Sequence, residues 1–196
     1  SSDLFPIDKL YDDNTSSLSD AVVIFGGGCT GVAVSEQGLI FTNHHCGFGA
    51  IQRLSEVDHD YLKDGYAAKS FEDELYADRT NVSLLRSMED VTDKILPHVS
   101  SVLSETQREL AIDSLSTELI KEYENDPFTS ARVIPFYSKN KYYVVLYDVF
   151  RDVRLVAAPP QSIGKFGGDT DNWMWPRHTG DFSVFRVYAD ENNNPA

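Results

Sequence analysis

The sequence has few basic residues and no long apolar run. Its 196 residues include 17 Lys and Arg against 31 Asp and Glu, which gives a formal net charge of −14. Nucleic-acid phosphates and anionic membrane surfaces are bound by clustered basic side chains, so this balance argues against both kinds of partner. The longest apolar stretch near the start, Ala21 to Phe25, is far shorter than the roughly 20 residues that span a bilayer. We therefore expect neither nucleic acid nor a membrane as a partner.

Cysteine is also scarce, and the familiar metal-binding spacings are missing. The two cysteines are Cys29 and Cys46, and no CxxC or HExxH segment occurs. The segment His44-His45-Cys46 holds adjacent potential ligands. Consecutive residues on a strand, however, point to opposite faces of the sheet and do not converge on one ion. We predict no metal and no other cofactor.

Strand patterns dominate the chain outside its middle third. Residues 1–20 are polar and form a lead-in, and residues 21–196 form one mainly β domain. Ser104 followed by Gln107 is a capping-box pattern, which predicts the start of a helix. We expect this helix to end at Asn125 to Pro127. Apolar and β-branched runs bounded by turn residues predict strands at 21–25, 30–35, 39–42, 131–137, 142–150, 153–158 and 182–188. We expect a helical insertion at about 50–128 within an antiparallel barrel or sandwich.

The two cysteines flank a predicted hairpin. If its turn centres on Gln37 and Gly38, two residues that face each other across the hairpin have sequence positions that add up to about 75. Cys29 and Cys46 meet this condition. Opposed residues lie about 4.5–5.5 Å apart, which suits a disulfide, although free buried cysteines are an equal alternative. A disulfide would indicate an oxidising compartment. Ser1 to Leu4 have neither the basic nor the apolar region of a signal peptide.

Three segments together resemble one known family. Gly28 to Gly31, Thr42 to Gly47 and Gly167 to Ser183 closely resemble segments of the bacterial dipeptidyl-peptidases with a chymotrypsin-like catalytic domain. The likeness implies the first six-stranded antiparallel barrel of a chymotrypsin-like double barrel. It also implies an enzyme that releases dipeptides from the free N-terminus of peptides. Such enzymes are homodimeric and periplasmic or secreted.

The resemblance assigns two catalytic residues. In this family the histidine directly before the cysteine is the general base, which selects His45 rather than His44. The triad aspartate heads an apolar strand, a position that Asp181 matches. Without the resemblance Asp181 would be interpreted as a turn residue. Asp169 and Asp171 are rivals that the residues alone do not separate.

The resemblance also implies a site for the α-ammonium group of the peptide substrate, formed with the help of Asn172 and Trp173. The chemistry is suitable, because an Asn oxygen accepts hydrogen bonds from an ammonium group and an indole ring offers a cation–π face. The alternative is that Trp173 is an ordinary core aromatic, as we expect for Trp175.

A nucleophile is not found in the sequence. No serine lies in a Gly-x-Ser-Gly segment, and the family carries its serine in a second barrel that follows a large helical domain. We expect both parts to be absent and the isolated chain to be inactive. Two alternatives stay open. One is a non-catalytic module that binds peptide termini, and the other is a metallohydrolase built on His44, His45, Cys46 and Asp169 or Asp171.

Overall fold

Short apolar runs form most of the strands of this chain, and turns that contain Gly26 to Gly28 and Gly38 separate the first three of them. The computed structural model describes residues 6–10, 12, 17–99, 104–164 and 180–189. The chain divides into two compact units. The first unit comprises residues 1–84 and 150–196, and the second unit comprises residues 85–149.

The strands are β1 (Val22–Phe25), β2 (Cys29–Ala33), β3 (Leu39–Thr42), β4 (Tyr66–Ala67), β5 (Leu75–Tyr76), β6 (Val82–Asp90), β7 (Thr129–Phe136), β8 (Lys141–Phe150), β9 (Val153–Ala158) and β10 (Ser183–Val187). The helices are α1 (Ile7–Leu10), α2 (His44–Leu54), α3 (Tyr61–Asp64), α4 (Thr92–Ile95), α5 (Glu105–Tyr123) and α6 (Gln161–Gly164). Single turns of 3₁₀-helix occur at Leu18–Ala21, Phe71–Asp73 and Leu96–His98. None of the described helices is both long and apolar enough to cross a membrane.

The first unit is built on an antiparallel sheet. Strands β1, β2 and β3 form a meander, and β10 pairs with the other edge of β3. The sheet continues from β10 to β9, which also pairs with β4 and β5, while β1 pairs with the first residues of β6. Because β10 runs antiparallel to β3, with Ser183 opposite Thr42, residues just before β10 lie beside those just after β3. The predicted mainly antiparallel β architecture with helices is confirmed.

The core of the first unit lies between the sheet and helix α2. Phe25 and Phe185 are almost fully buried, and their ring centroids are 4.7 Å apart. Ile40 and Ile51, from β3 and α2, are buried in the same cluster. Burying a side chain of this size contributes about 1.5–3 kcal/mol. This packing holds α2 and β10 against each other.

The tip of the β2–β3 hairpin requires a glycine. Gly38 has φ +71°, in the left-handed region, and a Cβ atom there would lie 2.7 Å from the backbone oxygen of Val187. The backbone N of Val187 also donates to the oxygen of Gly38 at 3.0 Å. The hairpin tip is thereby joined to the end of β10.

A buried ion pair fixes this same end of β10. The side chain of Glu74 is 3% exposed, and it accepts from Nε of Arg186 at 2.9 Å and from the hydroxyl of Tyr188 at 2.7 Å. Arg186 also donates to the backbone oxygen of Gln37 at 2.8 Å and lies over the ring of Phe71. Burial and the contact with Glu74 raise the pKa of Tyr188 to about 12. A buried carboxylate is tolerated here because it is paired and hydrogen-bonded.

The second unit packs helix α5 on the β7–β8 hairpin. The predicted start of α5 is confirmed, since the hydroxyl of Ser104 accepts from the backbone N of Gln107 and the side chain of Gln107 accepts from the backbone N of Ser104. Strands β7 and β8 pair from Thr129 opposite Asp148 to Phe136 opposite Lys141. One cluster of buried core residues in this unit comprises Val91, Ile95, Val99, Leu119, Ala131, Tyr142 and Val144.

The interval predicted as a helical insertion is helical only in part. Residues 50–128 include the end of α2 and helices α3, α4 and α5, but they also include strands β4, β5 and β6. Strand β6 forms by pairing with β1, and β4 and β5 form by pairing with β9. Because these partners are distant in sequence, local patterns do not reveal the three strands. The polar lead-in at 1–20 likewise contains the short helix α1.

Candidate active site

The junction between β3 and α2 carries both histidines of the motif. Strand β3 ends at Thr42, and Asn43 is extended, with φ −70° and ψ 152°, before α2 begins. His44, His45 and Cys46 therefore lie on the first turn of a helix. The interpretation of these three residues as part of a strand is wrong. Asn is a favoured residue immediately before a helix, and this signal was present in the sequence.

The predicted disulfide between Cys29 and Cys46 is present, with the two Cα atoms 5.9 Å apart. The predicted hairpin register is wrong, because β2 and β3 pair Gly31 with Thr42 and Ala33 with Ile40, so that opposed numbers sum to 73. Cys46 still reaches its partner because a helix advances by about 1.5 Å per residue, less than half the advance of a strand. The change to helix after Asn43 compensates for the two-residue error.

His45 and Asp181 are 136 residues apart in sequence and meet in the structure. Nδ1 of His45 lies 2.8 Å from Oδ2 of Asp181, and the backbone N of His45 donates to Oδ1 at 3.1 Å. The side chain of His45 is 65% exposed, whereas that of Asp181 is 18% exposed. An accessible imidazole with one ring nitrogen held by a carboxylate is suited to act as a general base.

Asn43 supplies a third donor to the carboxylate of Asp181. Its Nδ2 lies 3.1 Å from Oδ2 of Asp181. Burial raises the pKa of Asp181, but hydrogen bonds from the backbone and ring of His45 and from Asn43 outweigh it and hold the pKa below its ordinary value of 3.8. Asp181 is therefore ionised at neutral pH, as a partner of an imidazolium must be.

His44 lies in a different environment from its neighbour. Its side chain is 2% exposed, and its Nε2 has no hydrogen-bond partner in the part of the chain that the structure describes. Burial lowers the pKa of His44, against the raising effects of a hydrogen bond with the backbone of Pro159 and of the charge of Asp181. A neutral, buried ring does not meet a substrate, so the geometry favours His45 as the accessible base.

Ser183 and Gly47 complete the junction. Ser183 is fully buried, and its hydroxyl donates to the backbone oxygen of Asn43 at 3.0 Å. A Cβ atom on Gly47 would lie 2.6 Å from Oγ of Ser183 and 3.0 Å from a ring carbon of Phe185. Glycine is therefore required where α2 crosses β10. Sequence reasoning missed Asn43 and Gly47, because their partners are about 140 positions away.

One group of three possible metal ligands is present within residues 6–10, 12, 17–99, 104–164 and 180–189. The ligand atoms of Cys29, His45 and Cys46 lie within 4.8 Å of one another. Both sulfur atoms belong to the disulfide, whereas a metal binds the free thiolate. Asp169 and Asp171, which the metallohydrolase alternative needs, lie outside the described residues.

Asn172 and Trp173, the two residues expected to bind the α-ammonium of a substrate, also lie outside the described residues. Their role therefore stays a prediction from the resemblance.

Comparisons with known proteins agree on one family. A family model described as Peptidase S46 matches residues 5–196. The chain is 58% identical over 189 residues to dipeptidyl-peptidase 7 of Porphyromonas endodontalis, covering 96% of this chain and 23% of that protein. It is 51% identical over 189 residues to the Asp/Glu-specific dipeptidyl-peptidase of Flavobacterium psychrophilum, covering 96% of this chain and 26% of that protein.

A solved structure shares the fold. The crystal structure of Porphyromonas endodontalis DPP11 in complex with substrate matches with a TM-score of 0.85 and 49% sequence identity, over 98% of this chain and 29% of that chain. This chain thus spans less than a third of the length of these relatives. The family model covers every strand of the described residues and both His45 and Asp181. The chain belongs to the Peptidase S46 family.

Proposed function

We propose that this chain is the N-terminal part of a serine dipeptidyl-peptidase that releases dipeptides from the free N-terminus of peptides. The observation that carries the proposal is the His45–Asp181 pair, in which Nδ1 and Oδ2 are 2.8 Å apart and the imidazole is exposed. Membership of the Peptidase S46 family and the names of its relatives support it. Because some relatives are Asp/Glu-specific and others are named dipeptidyl-peptidase 7, the proposal assigns no side-chain preference.

The proposed chemistry follows from the tautomer of His45. The carboxylate of Asp181 accepts a hydrogen bond from the N–H at Nδ1, so the proton stays on Nδ1 and leaves Nε2 unprotonated and basic. Nε2 takes the proton of a serine hydroxyl as its oxygen attacks the scissile carbonyl. Asp181 stabilises the imidazolium that forms, and Nε2 then passes the proton to the leaving amine.

The nucleophilic serine is proposed to come from a second barrel outside these 196 residues. Ser183 is close to Asp181 in sequence, but its buried hydroxyl is already bonded to the backbone oxygen of Asn43. A nucleophile must lie within reach of the base and beside donors for the oxyanion. We therefore expect the isolated chain not to hydrolyse peptides.

The proposal extends to the architecture and the location of the enzyme. The strand order β6-β1-β2-β3-β10-β9 supports a first six-stranded barrel of a chymotrypsin-like double barrel. The Cys29–Cys46 disulfide supports an oxidising compartment, the periplasm or the cell exterior. Asn172 and Trp173 would bind the α-ammonium group of the peptide, and a net charge of −14 favours the approach of that cation. The complete enzyme would be a homodimer, as the resemblance implies.

A chimera tests the proposed function. This chain replaces the matching part of dipeptidyl-peptidase 7 of Porphyromonas endodontalis, to which it is 58% identical, and release of a fluorescent group from a dipeptide amide is measured. We expect an active chimera and no activity after His45→Gln. Asp181→Asn should lower kcat by about ten-thousand-fold, because Nδ1 would no longer be held in the productive tautomer.

Two controls complete this experiment. His59→Gln removes an exposed histidine of the first unit that stacks on Tyr61, and it should leave the activity unchanged. A substrate with an acetylated N-terminus should not be cleaved, because it has no α-ammonium. Full activity of the His45→Gln chimera would refute the proposed role of His45. Hydrolysis by the isolated chain would refute an external serine.

A further inference from the structure

Asn43 occupies the position before helix α2 but does not cap it. A side-chain oxygen at this position ordinarily accepts from a backbone N–H of the first turn, and the side chain of Asn43 makes no such bond. Its Nδ2 instead donates to Oδ2 of Asp181 at 3.1 Å and lies 3.4 Å from the backbone oxygen of the same residue. The side chain therefore forms hydrogen bonds with a residue 138 positions away rather than with its own helix.

The backbone of Asn43 is fixed from two sides. Its oxygen accepts from the backbone N atoms of Cys46 and Gly47, each at 3.1 Å, and from the hydroxyl of Ser183 at 3.0 Å. The first two bonds belong to the start of α2, and the third comes from a fully buried residue of β10. Because α2 and β10 both fix this backbone, they also direct the side-chain amide of Asn43 towards Asp181.

The three donors divide the carboxylate of Asp181 between them. Oδ2 is shared by Nδ2 of Asn43 and Nδ1 of His45, while Oδ1 accepts from the backbone N of His45. Rotation of the carboxylate about its terminal bond would break at least one of these contacts. The amide is a neutral donor, so it orients the carboxylate without competing in charge with an imidazolium.

We propose that Asn43 is a positioning residue of the catalytic pair: its amide holds Oδ2 of Asp181 against Nδ1 of His45 and thereby fixes the imidazole. This inference rests on the proposed function, in which His45 is the base. It also accounts for the residue type. Asp would cap a helix as well as Asn does, but Asp has no donor when ionised and would place a second negative charge beside Asp181.

NMR titration of the 196-residue chain tests the inference without needing a serine. The carboxyl carbon of Asp181 and the ring nitrogens of His45 are followed in the unsubstituted chain, Asn43→Ala and Asn43→Asp. The pKa of Asp181 should rise in both variants because a hydrogen bond to its charged form is lost. It should rise further in Asn43→Asp because a like charge is added. The His45 signals should move from the Nδ1–H tautomer towards a mixture of both tautomers.

Kinetics of the chimera separate positioning from capping. For a positioning residue, Asn43→Asp should lower kcat by about tenfold or more with KM unchanged, and it should be more harmful than Asn43→Ala. A capping role predicts the opposite order, because Asp retains the cap and Ala loses it. Asn140→Ala is the matched control. Nδ2 of Asn140 donates to the backbone oxygen of Tyr137 in the second unit, and its loss should leave Asp181 unchanged.

The outcomes distinguish this inference from the proposed function. An Asp181 titration and a His45 tautomer that do not change in Asn43→Asp would overturn the role of Asn43, even in an active chimera. A shifted titration together with an inactive chimera would refute the proposed function alone. If circular dichroism shows that Asn43→Asp does not fold, Asn43→Ser decides, because it keeps a capping oxygen but lacks an amide that reaches Asp181.

Discussion

The disulfide between Cys29 and Cys46 closes a short loop, and its removal has an effect that is calculable from the chain. The two cysteines lie 17 positions apart in the sequence. Closing a loop of this size lowers the entropy of the unfolded chain by an amount worth about 3 kcal/mol at 25 °C. In a chain of this length, each kcal/mol corresponds to a change in Tm of about 2–4 °C. The double variant Cys29→Ser/Cys46→Ser should therefore lose about 3 kcal/mol of unfolding free energy and about 6–12 °C in Tm.

Urea unfolding provides the assay, followed through NMR signals of buried residues in the first unit such as Ile51 and Phe185. The unsubstituted chain is measured with and without a dithiol reductant, next to the double variant. The reduced chain and the double variant should agree, because both open the same loop. A loss smaller than about 1 kcal/mol would refute the loop-entropy reasoning. A clear difference between the two open forms would show that the serine side chains, and not the open loop, cause the effect.

Three further substitutions test the packing and the charges of the first unit. Gly47→Ala should lower the unfolding free energy in urea by about 1–3 kcal/mol, because the new Cβ would lie 2.6 Å from Oγ of the buried Ser183. Glu74→Gln should lower it by about 3–5 kcal/mol in the same assay, because the guanidinium of Arg186, 12% exposed, loses its negative partner. Burial lowers the pKa of His44 below its ordinary 6.5, so the unfolded chain binds the proton first and stability falls as the pH drops below 6.5. In His44→Gln this part of the acid-induced loss, measured by unfolding at about pH 7 and about pH 5, should disappear.

Each of these substitutions has a control on the same chain. Gly49 lies on the same helix as Gly47, and a Cβ atom on it would contact only Nη1 of Arg53, at 3.4 Å. Gly49→Ala should therefore be neutral or stabilising. Equal losses of unfolding free energy at both glycines would contradict the steric argument. The double variant Glu74→Leu/Arg186→Met should recover most of the loss caused by Glu74→Gln. If it does not, the unpaired charge is not the cause. His59→Gln, at an exposed histidine, is the control for His44→Gln, and an effect equal to that of His44→Gln would argue against burial as the cause.

Local chemistry determined most of the individual elements of this protein. Apolar and β-branched runs bounded by turn residues predicted β1, β3, β8 and β9 to within a residue or two. The pair Ser104 and Gln107 predicted the start of α5, because a capping box is formed by neighbouring residues alone. The motif around His45, together with the segment that ends at Ser183, was sufficient to identify the family.

Tertiary structure decided how these elements meet. The hairpin register differs by two from the predicted sum, since it follows the side chains that β2 and β3 bury and not the centre of the turn alone. The contact between His45 and Asp181 spans 136 residues and exists because β10 pairs with β3. The hydrogen bond from the side chain of Asn43 to Asp181 depends on the same strand pairing. Pairing of distant strands is driven by the burial of side chains from both, and no short window of the sequence contains both partners.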